Sequence, residues 1–326
     1  MKYISYIFIT IILFLHIACV SSAQQQIYEQ VKAERKPFQK SPYVIKSPTE
    51  HLQRELRNGK SYDPKPKVVL VDEKNGKYEF RWIGTDGKEK IIAYQRHDAI
   101  DATVEAIIKK SENNKTLYTY KFKMLPSTPT YFREFIVQTF APDTEPIQLD
   151  KRLLPVNEQH RFLILQQSNA NPIFADGVWW NSAFVGKKEE RVWGSNTIEF
   201  QFTSTSLPGI VNCKATGGEI TTKGVGEDIP SVLVDEIPIF EDLAWGYTIG
   251  PVESLATLTK SEKAKYLLDN LPKFQEAGWM SEGTAKNYEA LFKQEDLSGA
   301  FEKAKKDFEN EFITSEVFYI IEGLNQ

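Results

Sequence analysis

The residues best equipped for chemistry in this chain sit in ADGVWWNSAFVG, residues 175 to 186. Successive residues of a strand face opposite sides, so Trp179 and Trp180 cannot both point into one core. An exposed indole near Asn181 and Asp176 would present a flat apolar face with polar neighbours, a combination that stacks on a sugar ring or anchors a partner protein. In the competing reading both faces of the sheet are covered, for instance by the N-terminal arm, and no indole is exposed. Trp179, Trp180, Asn181 and Asp176 are therefore the candidate ligand-binding residues, with both readings open.

Other reactive residue types are present without the spacing that chemistry requires. A glycosidase needs two carboxylates about 5 to 10 Å apart across its substrate. Glu189 with Glu190, Asp235 with Glu236, and Glu241 with Asp242 supply the residue type, but solvated surface charge explains such neighbours better. His51, His97 and His160 lie in no HExxH-like arrangement and read as ordinary loop or surface histidines. There is no GxSxG elbow, and Cys213 within GIVNCKATG reads as a small buried hydrophobe on a strand. Gly224-Val225-Gly226 begins like a dinucleotide loop, yet Ile229 stands where the third glycine belongs. Asp72, Asn75 and Gly76 lack the alternating oxygen ligands of a calcium loop and fit a hairpin turn. The sequence thus calls for no cofactor and no metal.

Charge and the N-terminus point to an address. Lys2 is followed by the apolar run Ile7 to Leu15, the pattern of a signal peptide and too short for a membrane span. Ser21-Ser22-Ala23 places small residues for cleavage after Ala23, giving a signal segment of 1–23. The alternative is a lipid anchor on Cys19, which Ala18 suits but His16, three residues before the cysteine, does not. Cleavage after Ala23 leaves Cys213 as the one cysteine and allows no internal disulfide. The full chain carries 40 basic and 44 acidic residues, and loss of Lys2 makes the balance 39 against 44. This mild acidity argues against an electrostatic nucleic-acid partner. With 41% hydrophobic and 12% aromatic residues the composition is that of a folded protein rather than a disordered one.

The elements that would position these residues follow from periodicity. Residues 24–66, polar and rich in lysine and proline, read as an arm or tether. From Lys67 the pattern has period two: VVLVDE, KYEFRWIG and KIIAYQ, joined at Asn75-Gly76 and Asp86-Gly87, predict two hairpins. Tyr78, Phe80 and Trp82 share one face and read as core. IDATVEAIIKK and LYTYKFKM predict a further hairpin, and FREFIVQTF, RFLILQQ, GVWWNSAFV, IEFQFTSTS and GIVNCKATG continue as short strands. The expected fold is mainly β with an α tail: an antiparallel β-sandwich, Ig-like or jelly-roll-like, over 67–240. A linker over 241–258 then leads to a helical bundle at 259–326. Thr259 with Glu262 makes a capping box, Pro272 should kink or split the first helix, Gly278 should end it, and Ser281 should cap the second. Glu289 with Lys293 and Glu302 with Lys306 are expected surface pairs.

The stretch from Leu267 to Leu324 carries LLDNL, Ala277-Gly278-Trp279 and FITSEVFYIIEGL. It resembles the FIMAH-type helical module found at the C-termini of many secreted bacterial proteins, a likeness covering about a fifth of the chain. The resemblance implies an exported bacterial protein and brings no catalytic residues. The sequence-based expectation is an exported, non-enzymatic binding or structural protein of the cell envelope, with a glycan or an envelope protein as partner. The alternative expectation is a carbohydrate-active hydrolase using a carboxylate pair.

Overall fold

Alternating sequence becomes hairpins first. The computed structural model describes residues 32–40, 66–110, 115–139, 141, 143–150, 154–157, 177–181, 197–217, 220–221, 229–230, 233 and 243–326. Its strands are β1 (Lys67–Asp72), β2 (Lys77–Ile83), β3 (Glu89–Gln95), β4 (Ala102–Lys110), β5 (Thr116–Met124), β6 (Phe132–Gln138), β7 (Glu145–Ile147), β8 (Leu154–Asn157), β9 (Gly177–Asn181), β10 (Thr197–Ser204), β11 (Leu207–Gly217), β12 (Ile220–Thr221) and β13 (Ala244–Val252). Gly76 and Gly87 take the positive φ that the β1–β2 and β2–β3 turns demand, and Asp72 accepts from the Asn75 amide within the first.

The fold is mainly β and antiparallel, with strand orders β1-β2-β3-β12, β4-β5-β10-β7 and β13-β11-β6-β9-β8. The small first sheet has its own core, in which Tyr78, Phe80 and Trp82 pack with Ile92, Tyr94 and Leu233. The other two sheets bring their apolar faces together through aromatic rings. Phe135 of β6 stacks on Phe200 of β10 with centroids 4.9 Å apart, and Trp180 of β9 meets Phe200 at 5.0 Å. Tyr118 and Tyr120 bury their rings in the same interface, and each phenol donates to a backbone carbonyl, Ser206 O and Ile249 O respectively. Those bonds remove the cost of burying a hydroxyl.

One boundary differs from expectation. Residues 244–252, expected within a linker, form β13, which pairs with β11 along its length from Leu207↔Val252 to Ala215↔Ala244. Trp245, Tyr247 and Ile249 alternate as a strand should, but Gly246 between them and Gly250 and Pro251 after them give the stretch the composition of a loop.

The chain divides into two compact units, and the described residues 32–36 fall with 254–326 rather than with 37–253. The helices are α1 (Lys260–Glu276), α2 (Glu282–Lys293), α3 (Leu297–Glu309) and α4 (Ser315–Leu324). Thr259 and Glu262 form the expected capping box, and Ser281 accepts from the Thr284 amide as N-cap of α2. Pro272 does not split α1: it removes one hydrogen bond near the C-terminal end, and buried Leu271 and Phe274 hold the helix on either side. After α1, Gly278 at φ +70° lets the Gly278 and Trp279 amides bond back to Gln275 and Phe274, a Schellman turn. Glu311 repeats the turn after α3, with Phe312 bonding back to Asp307. The two turns meet in an antiparallel bridge, Met280↔Ile313, and the Thr314 amide donates to Trp279 O at 2.9 Å.

The arm was expected to be loose, yet residues 32–36 are docked on this helical unit. Arg35 donates from Nη2 to Glu316 Oε2 at 2.8 Å, from Nε to Oε1 at 3.2 Å and from Nη2 to Ser315 Oγ at 3.1 Å. Lys32 pairs with Glu311 at 2.7 Å, and the Lys36 amide donates to Ala277 O at 3.0 Å. The physical reason is that Glu316, only 1% exposed, needs a cation in the interior. Phe308 is 38% exposed and stacks on Phe318. One surface pair departs from the sequence reading. Glu302 pairs with Lys305, three residues on, instead of Lys306, while Glu289 and Lys293 pair as expected.

Candidate functional site

Register decides which face each candidate residue occupies. β6 pairs β9 so that Phe135 lies opposite Trp180 and Ile136 opposite Trp179. Trp180 therefore shares the inner face with Phe135, within reach of Tyr120, Phe200 and Phe202, and is 1% exposed. Trp179 faces the other way, as strand alternation requires, and is still covered at 8% exposure. Of the two readings open from the sequence, the covered one describes these rings: they point to opposite faces, and the outer one is shielded as well. Asn181 stands opposite Glu134 of β6 and Leu154 of β8 in the register. Asp176 lies outside the described residues, as do the carboxylate pairs at 189–190, 235–236 and 241–242, together with His51 and His160.

The outer face of the five-stranded sheet carries more than Trp179. Cross-strand partners share a face, so Trp245, Lys214, Ile136 and Trp179 form one row across β13, β11, β6 and β9. Two residues along, Asn212 lies directly opposite Tyr247. The covered end of this face holds Trp179, Ile136, Glu134 and Gln138. The open end holds Trp245 and Tyr247, half-buried, with Asn212 exposed and Lys214 half-buried. The Trp245 and Tyr247 rings meet edge to face, 5.8 Å apart at 87°, and so form a corner of two aromatic walls. Burial pushes the Lys214 ammonium below its ordinary pKa.

The sequence reading missed Trp245, Tyr247, Lys214 and Asn212, although the alternation Trp245-x-Tyr247-x-Ile249 is a period-two signal of the kind used elsewhere in the chain. Two other residues singled out in the sequence are buried. Cys213 is a free thiol with no exposure, and burial pushes it well above the usual thiol range, far from the thiolate needed for attack. His97 is buried beside Tyr94, with centroids 5.7 Å apart. Among the described residues no group of His, Cys, Asp and Glu side chains gathers as a metal site, and no helix is long and apolar enough to cross a membrane. Compared with known families and curated proteins, the chain matches no family model and no curated sequence.

Proposed function

We propose that this protein is an exported, non-enzymatic binding protein of the bacterial cell envelope that holds a glycan on the outer face of its five-stranded sheet. One observation carries the reading: the half-buried corner of Trp245 and Tyr247, with Asn212 and Lys214 directly across the strand pair. Aromatic walls suit the CH-rich faces of a sugar ring, and an exposed amide with a partly desolvated ammonium suits its hydroxyls or an acidic substituent. The positions are set by strand register rather than by a flexible loop, so the site is preorganised. Export rests on Lys2, the apolar run Ile7–Leu15 and the small residues Ser21-Ser22-Ala23, and on the likeness of 267–324 to FIMAH-type modules of secreted proteins.

Titration of the protein against neutral and acidic envelope polysaccharides tests the binding. Trp245→Ala should weaken an observed interaction about tenfold or more while the fold is retained. Binding that is indifferent to Trp245 and Tyr247 removes the proposed site. The intact mass of the protein recovered after export should correspond to an N-terminus at Gln24. A lipid-modified Cys19 would replace the soluble form by an anchored one.

A further inference from the structure

We propose that the surface where the two turns of the helical unit meet is a peptide-docking site for an extended Lys-x-x-Arg segment, filled in cis by residues 32–36 and able to take the same segment in trans. The segment behaves as a bound peptide does. Ala33 and Arg35 are half-buried while Lys32, Glu34 and Lys36 are exposed, the alternation of an extended chain laid on a surface. Its anchor is a single side chain: the Arg35 guanidinium forks onto both oxygens of the buried Glu316 carboxylate and reaches Ser315 Oγ. Such a planar, bidentate, charge-assisted contact selects arginine over lysine. Three residues earlier, Lys32 meets Glu311 at the exposed rim, with side-chain exposures of 41% and 66%.

The surface is shaped for backbone rather than side chain. A Cβ at Gly278 would lie 1.7 Å from Glu34 O, so the passing chain fits only because this residue is glycine. The Lys36 amide bonds to Ala277 O beside it. Thr314, at the start of α4 next to Ser315, keeps a buried hydroxyl without a hydrogen-bond partner, a polar group still to be satisfied at this end of α4. A half-buried arginine on a buried carboxylate, a rim ion pair and a backbone bond are the parts of a reversible peptide site, not of an apolar core. Tethering gives the cis segment an effective concentration of about millimolar, so it excludes weaker competitors until its anchor is lost.

The test uses the full chain and a labelled peptide of residues 30–37, QVKAERKP. Fluorescence polarisation should show at least tenfold tighter binding to Arg35→Ala protein than to wild type, where the tethered segment competes. Replacing the peptide's arginine by alanine should abolish that binding, and raising salt should weaken it. Equal binding to both proteins, or binding to neither, overturns the proposal. If Arg35→Ala does not fold, Arg35→Lys, which keeps the charge but loses the fork, is read in the same way. An independent readout needs no variant: in wild type the Lys36 amide should exchange with solvent faster than amides inside α1 to α4. Exchange of Lys36 only at the rate of complete unfolding would show an integral strand that never lifts, and would overturn the site.

Discussion

Trp180→Ala lowers the stability of the β unit by about 3–5 kcal/mol, the range for emptying a large aromatic side chain from a packed core. The ring is 1% exposed and lies against Tyr120, Phe135, Phe200 and Phe202, with centroids 5.0–6.4 Å away. These neighbours come from both sheets, so the cavity opens at the seam that joins them. Trp180→Phe should cost under about 2 kcal/mol, because it keeps a stacked ring and removes a buried indole N–H that finds no acceptor. Denaturant titration followed by near-ultraviolet circular dichroism reads both variants. A loss below about 1 kcal/mol for Trp180→Ala would place the ring outside the core and undo the pairing of the two sheets.

Arg35→Ala destabilises the helical unit by about 3 kcal/mol, the low end for breaking a buried ion pair by removing one partner. The low end applies because the Arg35 side chain is 28% exposed, so water can reach Glu316 once residues 32–36 lift away. Gly278→Ala should act at the same place by another route, placing a Cβ against Glu34 O and straining a backbone held at φ +70°. Thermal unfolding of the two single variants and their double variant separates the outcomes. If both act by releasing the same five residues, their losses do not add. A negligible effect of Arg35→Ala would mean that the arm contributes nothing to the helical unit, and full additivity would mean that the two substitutions act by separate routes.

What could be read from the sequence was local. Asn75-Gly76 and Asp86-Gly87 announce their hairpins because few other pairs accept the turn dihedrals, and Thr259 with Glu262 announces a helix start for an equally local reason. The opposite orientation of Trp179 and Trp180 is likewise a consequence of strand period alone. Whether the outer ring is covered does not follow from strand period, so both readings stayed open in the sequence although Trp179 is only 8% exposed. β13 was hidden by its glycines: a Cβ at Gly246 would sit 2.9 Å from the Phe38 ring, so close packing imposed a residue that elsewhere marks a loop. The contact of Arg35 with Glu316 spans 281 residues and leaves no periodic trace. The same holds for the aromatic corner, where Asn212 and Lys214 join Tyr247 and Trp245 only through the register of β11 against β13.

That register is the basis of the functional reading, and hydrogen exchange resolved to single amides with and without a bound polysaccharide tests it most directly. Ligand should slow exchange along Asn212–Lys214 and Trp245–Tyr247 while leaving the helices α1 to α4 unchanged. Protection confined to the helical unit, or none on β11 and β13 at saturating ligand, would contradict the assignment of this face as the recognition surface.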